Sequence, residues 1–222
     1  MPNYGVLVDI ETTGLNPVEN VILELGMILF NRDTFEEVDT FSYVVVNDVV
    51  IEHLNHLRDT AEWVKSNLPQ ATQMGIEGAK FVYEMHQANG LDAHIRHLHA
   101  QGYRCDLAQI ETAAVEWLTG YHISRKQTEA PAVGSSVHFD RKFIDMKMPK
   151  LGNEVLHYRN VDISTLKTLV NWWLPAVKKK RTESLNPQGL HRALDDCRDS
   201  LGELKFYHEA LFNENVVMKD WS

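Results

Sequence analysis

Apolar and polar positions sort this chain into a strand-rich start, a helical middle and a mixed end. Residues 4–10, 21–30 and 41–46 are dense in Val, Ile, Leu and aromatics and are bounded by turn residues, which is strand composition. Thr13-Gly14-Leu15-Asn16-Pro17 breaks the first run, and Asn31-Arg32-Asp33 is a hairpin tip, so three meandering antiparallel strands are predicted. From Ile51 to Tyr121 the pattern turns helical, with Gly75, Gly78, Gly90 and Gly102 as breaks. Residues 131–135 read as a short buried strand followed by a helix over 137–148. Residues 160–163 read as another strand, followed by a helix over 164–173 whose final Trp172 and Trp173 are expected to be packing residues. A polar loop is predicted over 178–188. A long helix is predicted over 190–212, with Leu194, Cys197, Leu201, Leu204, Tyr207 and Leu211 at helical spacing. The sum is an α/β architecture, a mixed sheet flanked by helices.

Composition narrows the class. A chain of 222 residues is enough for one substantial core and requires no second domain. Cys105 and Cys197 are far apart, as reduced thiols would be, and fit neither a disulfide framework nor a zinc site. No basic, apolar leader opens the chain and no run of about 18 apolar residues occurs, so a soluble cytoplasmic protein with no membrane partner is expected. The net charge of −9 is unevenly spread, because residues 141–181 hold ten Lys or Arg against three Asp or Glu. An acidic body with one basic segment suits a short phosphate-bearing substrate better than a long nucleic acid, which selects for a broad basic surface.

Candidate chemistry lies in three separated stretches, VDIETTGL, GSSVHFDRKFI and HRALDDCRDSL. Asp9 and Glu11 alternate with Val8 and Ile10, so both carboxylates share one strand face. Two acids on a covered face are costly without a positive partner between them. Asp140 falls early in a helix, where complementing the helix dipole would by itself explain it. On one continuous helix His191 would share a face with Asp195, whereas Asp196 comes into reach only if His191 precedes the helix. Spacing alone leaves that choice open.

The three stretches resemble the exonuclease motifs of the DEDDh, DnaQ-like 3′–5′ exonucleases, whose fold is ribonuclease H-like. HRALDD matches the His-x-Ala-x-x-Asp pattern of that branch, which selects Asp196. The chain is similar to oligoribonucleases in particular, through GSSVHFDRKFI, MPKLGNEVLHYRNVDISTLK and HRALDDCRDSLGELKFYHEAL. The resemblance implies one exonuclease domain over residues 1–222, with a mixed five-stranded sheet. The stretch 76–109 has no counterpart in it and is expected to be a helical insertion between the third and fourth strands. It also implies that Asp9, Glu11, Asp140 and Asp196 hold two divalent cations, Mg²⁺ or Mn²⁺, and that His191 is the general base. An imidazole suits that role because its ordinary pKa is about 6.5.

By the same resemblance, Ser135, Arg159, Ser164 and Thr165 would cradle a terminal 5′ phosphate. Leu15 would wedge against bases, and Trp63 would line the base pocket. Tyr158 would stack from the partner subunit of a homodimer. The implied activity is a metal-dependent 3′–5′ exoribonuclease that degrades short oligoribonucleotides to 5′-mononucleotides. The alternatives are a broader 3′ exonuclease on single-stranded DNA or RNA ends, and a catalytically silent nucleic-acid-binding relative. Thr12 departs from the Met that oligoribonucleases carry there. His86, His94, His97 and His99 in the insertion are expected on an exposed helical face rather than in a metal site. The run Lys178 to Arg181 reads equally as a solvated charge run and as a flexible guide for phosphates.

Overall fold

The computed structural model describes residues 3–68, 78–125, 130–185 and 189–212. Strands β1 (Tyr4–Thr12), β2 (Ile22–Asn31) and β3 (Glu37–Val44) come first, followed by helices α1 (Asp48–Asn67), α2 (Gly78–Ala88), α3 (Leu91–Ala100) and α4 (Leu107–Gly120). Strand β4 (Ala132–Gly134), helix α5 (His138–Lys147), a π-helical turn (Leu151–Val155) and strand β5 (Asn160–Asp162) lead into α6 (Ile163–Trp173), α7 (Pro175–Ser184) and α8 (Ala193–Leu211). The five strands lie in the order β3-β2-β1-β4-β5. The first three pair antiparallel, while β4 and β5 run parallel to β1. Gly75 and residues 76–77 of the expected insertion lie outside the described residues.

Strand β1 is central and carries a different load on each face. Val6, Val8 and Ile10 join one large core with β2, α1, α3, α4 and α5. Leu7, on the opposite face, joins a smaller core under α6 and α8 with Ile28, Val133, Cys197 and Tyr207. Period-two geometry puts Asp9 and Glu11 on the face of Leu7, so the smaller core gives way to carboxylates toward the carboxyl end of β1. Crevices beyond the carboxyl ends of parallel strands are the usual ligand positions of such sheets.

Three departures from the sequence expectations have physical causes. The third strand begins at Glu37 rather than residue 41, because β3 is an edge strand whose first residues are mostly exposed and polar. Residues 178–184 are helical, not a loop. Helix α7 starts on Pro175 and buries no residue, so no apolar stripe announced it; it is laced instead by Lys179–Glu183 (3.8 Å) and Arg181–Glu203 (2.9 Å). Residues 186–188 of that predicted loop lie outside the described residues. Finally, Trp172 and Trp173 are not packed: they pair edge-to-face at 5.7 Å on the surface, 66% and 68% exposed.

Candidate active site

Two elements deliver the central acids. Asp9 stands opposite Gly26 of β2, and Glu11 stands opposite Glu24. Helix α8 lays its first turn directly on β2 at Gly26: a β-carbon there would come within 2.6 Å of the Ala193 carbonyl carbon and 2.7 Å of the Leu194 nitrogen. Only glycine permits that approach, and the approach sets Asp196 above the acids of β1. Asp9, Glu11 and Asp196 each offer an oxygen, all within 4.8 Å of one another.

Asp140 approaches these acids from α5, close enough for its charge to act on Asp9. Strand β4 pairs with β1 only at Val6 and Leu7, which leaves the Ile10 N–H beyond its end. The Asp140 carboxylate accepts that N–H at 3.0 Å. Its placement in the first turn of α5 also suits the helix dipole.

Burial, with crowding second, raises the proton affinity of every member. Burial, reinforced by the charges of Asp140, Glu11, Asp196 and Glu24, pushes Asp9 well above the carboxylate range. Burial and the charges of Asp196, Glu24 and Asp140 push Glu11 to about 9, against the opposing Arg192. Asp140 is raised to about 7 by burial, despite the Ile10 hydrogen bond. Asp196 is also raised by burial, with His191 opposing. Such a cluster of hard oxygen donors is relieved by a divalent cation, so the residues present fit that group.

His191 lies outside α8, as the Asp196 assignment requires. Its backbone sits in the left-handed region (φ 50°), two residues after Gly189 (φ 57°). This turns the ring back so that Nδ1 lies 3.9 Å from an Asp196 oxygen. The His191 side chain is 53% exposed, which leaves its other face open to solvent. Asp195 pairs with Arg198 at 3.4 Å.

The remaining expected residues divide into those the fold gathers and those it does not. Ser164 sits at the start of α6, where Asp162 accepts its N–H at 2.9 Å. The hydroxyl that meets Ser164 belongs to Ser136, at 3.2 Å, and the Ser136 N–H donates to both Asp162 and Ser164 at 3.0 Å. Ser135 turns the other way, and its oxygen accepts from Ser200 of α8 at 3.1 Å. Ser135 therefore makes its contact away from Ser164, and Ser136 (φ 55°) is the hydroxyl beside Ser164. Arg159 lies over the Tyr158 ring at 5.4 Å, and Tyr158 is 61% exposed. Thr165 is exposed on α6, and Leu15 is 77% exposed on the turn after β1. Trp63 is 51% exposed on α1, and so is not a core tryptophan.

Several residues of the site escaped the sequence reading. Glu24 is buried and grips Arg192 through two contacts, at 2.7 and 2.9 Å, while also accepting the Ala193 N–H at 3.2 Å. This fork fastens the start of α8 to β2; an acid inside the apolar run of β2 was the available signal. His86 is fully buried rather than exposed: its Nε2 meets the Thr12 carbonyl at 2.8 Å, and its Nδ1 lies 4.0 Å from Glu11. The α2–α3 segment thus walls the site, while His94 and His97 are exposed as expected. An open groove of about 680 Å³ runs from Asp9 and Asp196 past Ser135 and Ser200 to Lys167 and Arg181. Among the described residues no helix is long and apolar enough to cross a membrane.

Comparison with known proteins agrees with this fold. A family model described as an exonuclease matches residues 105–204. The oligoribonuclease of Neisseria meningitidis serogroup C is 31% identical over 203 residues, covering 90% of this chain and 88% of that one. The oligoribonuclease of Pseudoalteromonas atlantica is 29% identical, covering 94% and 95% respectively. Among solved structures, the nuclease domain of 3'hExo, a DEDDh family member bound to rAMP, superposes with a TM-score of 0.55 at 16% identity, over 94% of this chain and 93% of that one. The zinc-bound E. coli ExoI–ssDNA complex superposes with a TM-score of 0.58 at 12% identity, over 96% of this chain and 42% of that one. The chain belongs to the oligoribonuclease family of 3′–5′ exonucleases.

Proposed function

We propose that this exonuclease removes 5′-mononucleotides from the 3′ ends of short oligoribonucleotides. The observation that carries the reading is the convergence of Asp9, Glu11 and Asp196 within 4.8 Å, beside a half-exposed His191. Asp9, Glu11, Asp140 and Asp196 would hold two divalent cations, Mg²⁺ or Mn²⁺. When bound, such ions supply charge stabilisation for the attacking and departing oxygens. His191 takes a proton from water at Nε2 while Nδ1 faces Asp196. The water oxygen forms a bond to phosphorus, the bond to the 3′ oxygen breaks, and that oxygen leaves as a hydroxyl after gaining a proton.

Selection for short chains is assigned to the far end of the substrate. The Ser136–Ser164 hydroxyl pair would donate to a 5′ phosphate, and Arg159, just before β5, would add a guanidinium fork that matches phosphate oxygens. Leu15 and Trp63 offer exposed apolar surface to bases, and Tyr158 does so toward a second copy of the chain. Relatives that match along most of their length are named oligoribonucleases, which supports RNA as the substrate.

The groove toward Lys167 and Arg181 favours a second reading, a broader exonuclease that also accepts longer single-stranded RNA or DNA ends. A length series of 5′-labelled oligonucleotides at subsaturating concentration separates the two. Dinucleotides hydrolysed much faster than ten-mers support the first; equal rates support the second. Activity that survives a chelator would defeat both.

A further inference from the structure

The junction between α2 and α3 touches both halves of the site through side chains that the proposed chemistry does not use. On the side of β1, His86 donates from Nε2 to the Thr12 carbonyl at 2.8 Å, one residue beyond Glu11. A carbonyl only accepts, so Nε2 carries a ring proton, while Nδ1 lies 4.0 Å from Glu11. On the side of α8, the Asn89 amide donates to the His191 carbonyl. The Asn89 Oδ1 accepts the Leu91 N–H at 2.9 Å, at the start of α3. The amide is therefore oriented by its own helix and aimed at the His191 loop.

His191 is the residue that needs holding. A left-handed backbone at a non-glycine residue is strained and persists only where its surroundings fix it. Continued α8 geometry at His191 would turn the ring toward Asp195, four residues on, and away from Asp196. We propose that Asn89 is a positioning residue for the general base: its amide locks the His191 carbonyl and keeps the residue out of α8, while His86 pins the same junction to β1. The proposal rests on the assignment of His191 as the base.

Asn89→Ala and Asn89→Asp separate the amide donor from the turn that starts α3, because Asp keeps the acceptor for Leu91 and replaces the donor with a charged oxygen that cannot bond the His191 carbonyl. Both variants should lower kcat by about tenfold, a fraction of what a positioned base contributes. KM and calorimetric Mn²⁺ affinity of Asn89→Ala should stay within about twofold of wild type, since no cation ligand is touched. In a His191→Ala background, Asn89→Ala should cause no further loss, which a merely structural defect would not respect. Recovery of the rate in Asn89→Asp, or an additive loss in the double variant, would overturn the role of Asn89. A normal rate in His191→Ala alone would instead remove the base assignment and the proposal with it.

Discussion

At the scale of single residues, the acids that make the site are also its weakest structural point. Glu11 faces Glu24 across the strand pair and Asp196 from above, and Arg192 is the cation that opposes them. A carboxyl with a raised folded pKa binds its proton more tightly in the native state than in the unfolded one. Stability without metal is therefore full below the ordinary carboxylate range and declines as pH climbs toward the folded values, about 7 for Asp140 and about 9 for Glu11. Metal-free protein should melt lower at pH 9 than at pH 6, and Mn²⁺ should raise Tm more at the higher pH, where fewer protons must leave. A Tm independent of pH between 6 and 9 in chelator would contradict the crowding described for these groups. By the same logic, Asp9→Asn should abolish turnover yet raise the metal-free Tm at pH 8, as loss of a buried repulsive charge predicts. His191→Ala should slow turnover by about 10²–10⁴-fold, the range for a positioned acid–base group, with Mn²⁺ affinity nearly kept. Loss of Arg159 should weaken substrates that carry a 5′ phosphate far more than those that lack one, as paired KM measurements would reveal.

At the scale of elements, the meeting of α8 with β2 sets the geometry on which those residues depend. Gly26→Ala would drive a methyl group into the backbone of Ala193 and Leu194, at a cost of about 1–3 kcal/mol for an overpacked contact. Because the displaced turn carries Asp196, activity should fall by more than the folded fraction accounts for, and a variant with wild-type kcat would count against this placement. Much of this level was legible beforehand. Dense apolar runs bounded by turn residues marked β1 and β2, and the separation of His191 from Asp196 required a loop before α8 once the motif was recognised. What stayed hidden was decided in three dimensions. Helix α7 buries nothing, so its pattern had no stripe to read. Ser135 and Ser136 are adjacent hydroxyls, and only the left-handed turn at Ser136 tells which of them meets Ser164. His86 lay in a histidine-rich stretch whose composition pointed to solvent, and its burial follows from α2 bringing it against the Thr12 carbonyl at the end of β1, a contact without local signature.

At the scale of the whole molecule, the proposed base-stacking residue is largely exposed to solvent. Tyr158 is 61% exposed, and the chain continues from it into β5, the edge of the sheet, where Val161 is also exposed. Exposed aromatics beside a sheet edge are costly surface for a monomer, and Trp172 and Trp173 add further exposed apolar surface at the far end of α6. A two-fold dimer formed across this region would let Tyr158 serve the partner's substrate, and subunit mixing can decide whether it does. Suppose Tyr158→Ala chains, whose carboxylates are intact, are refolded with Asp9→Asn chains, whose Tyr158 is intact. Each mixed dimer then holds one site with both an intact Asp9 and a partner's tyrosine. With random assortment, half of the dimers are mixed, so about a quarter of all sites should recover wild-type behaviour, well above either parent. If Tyr158 instead served its own chain, no mixed dimer would hold a complete site, and the mixture would give only the average of its two parents.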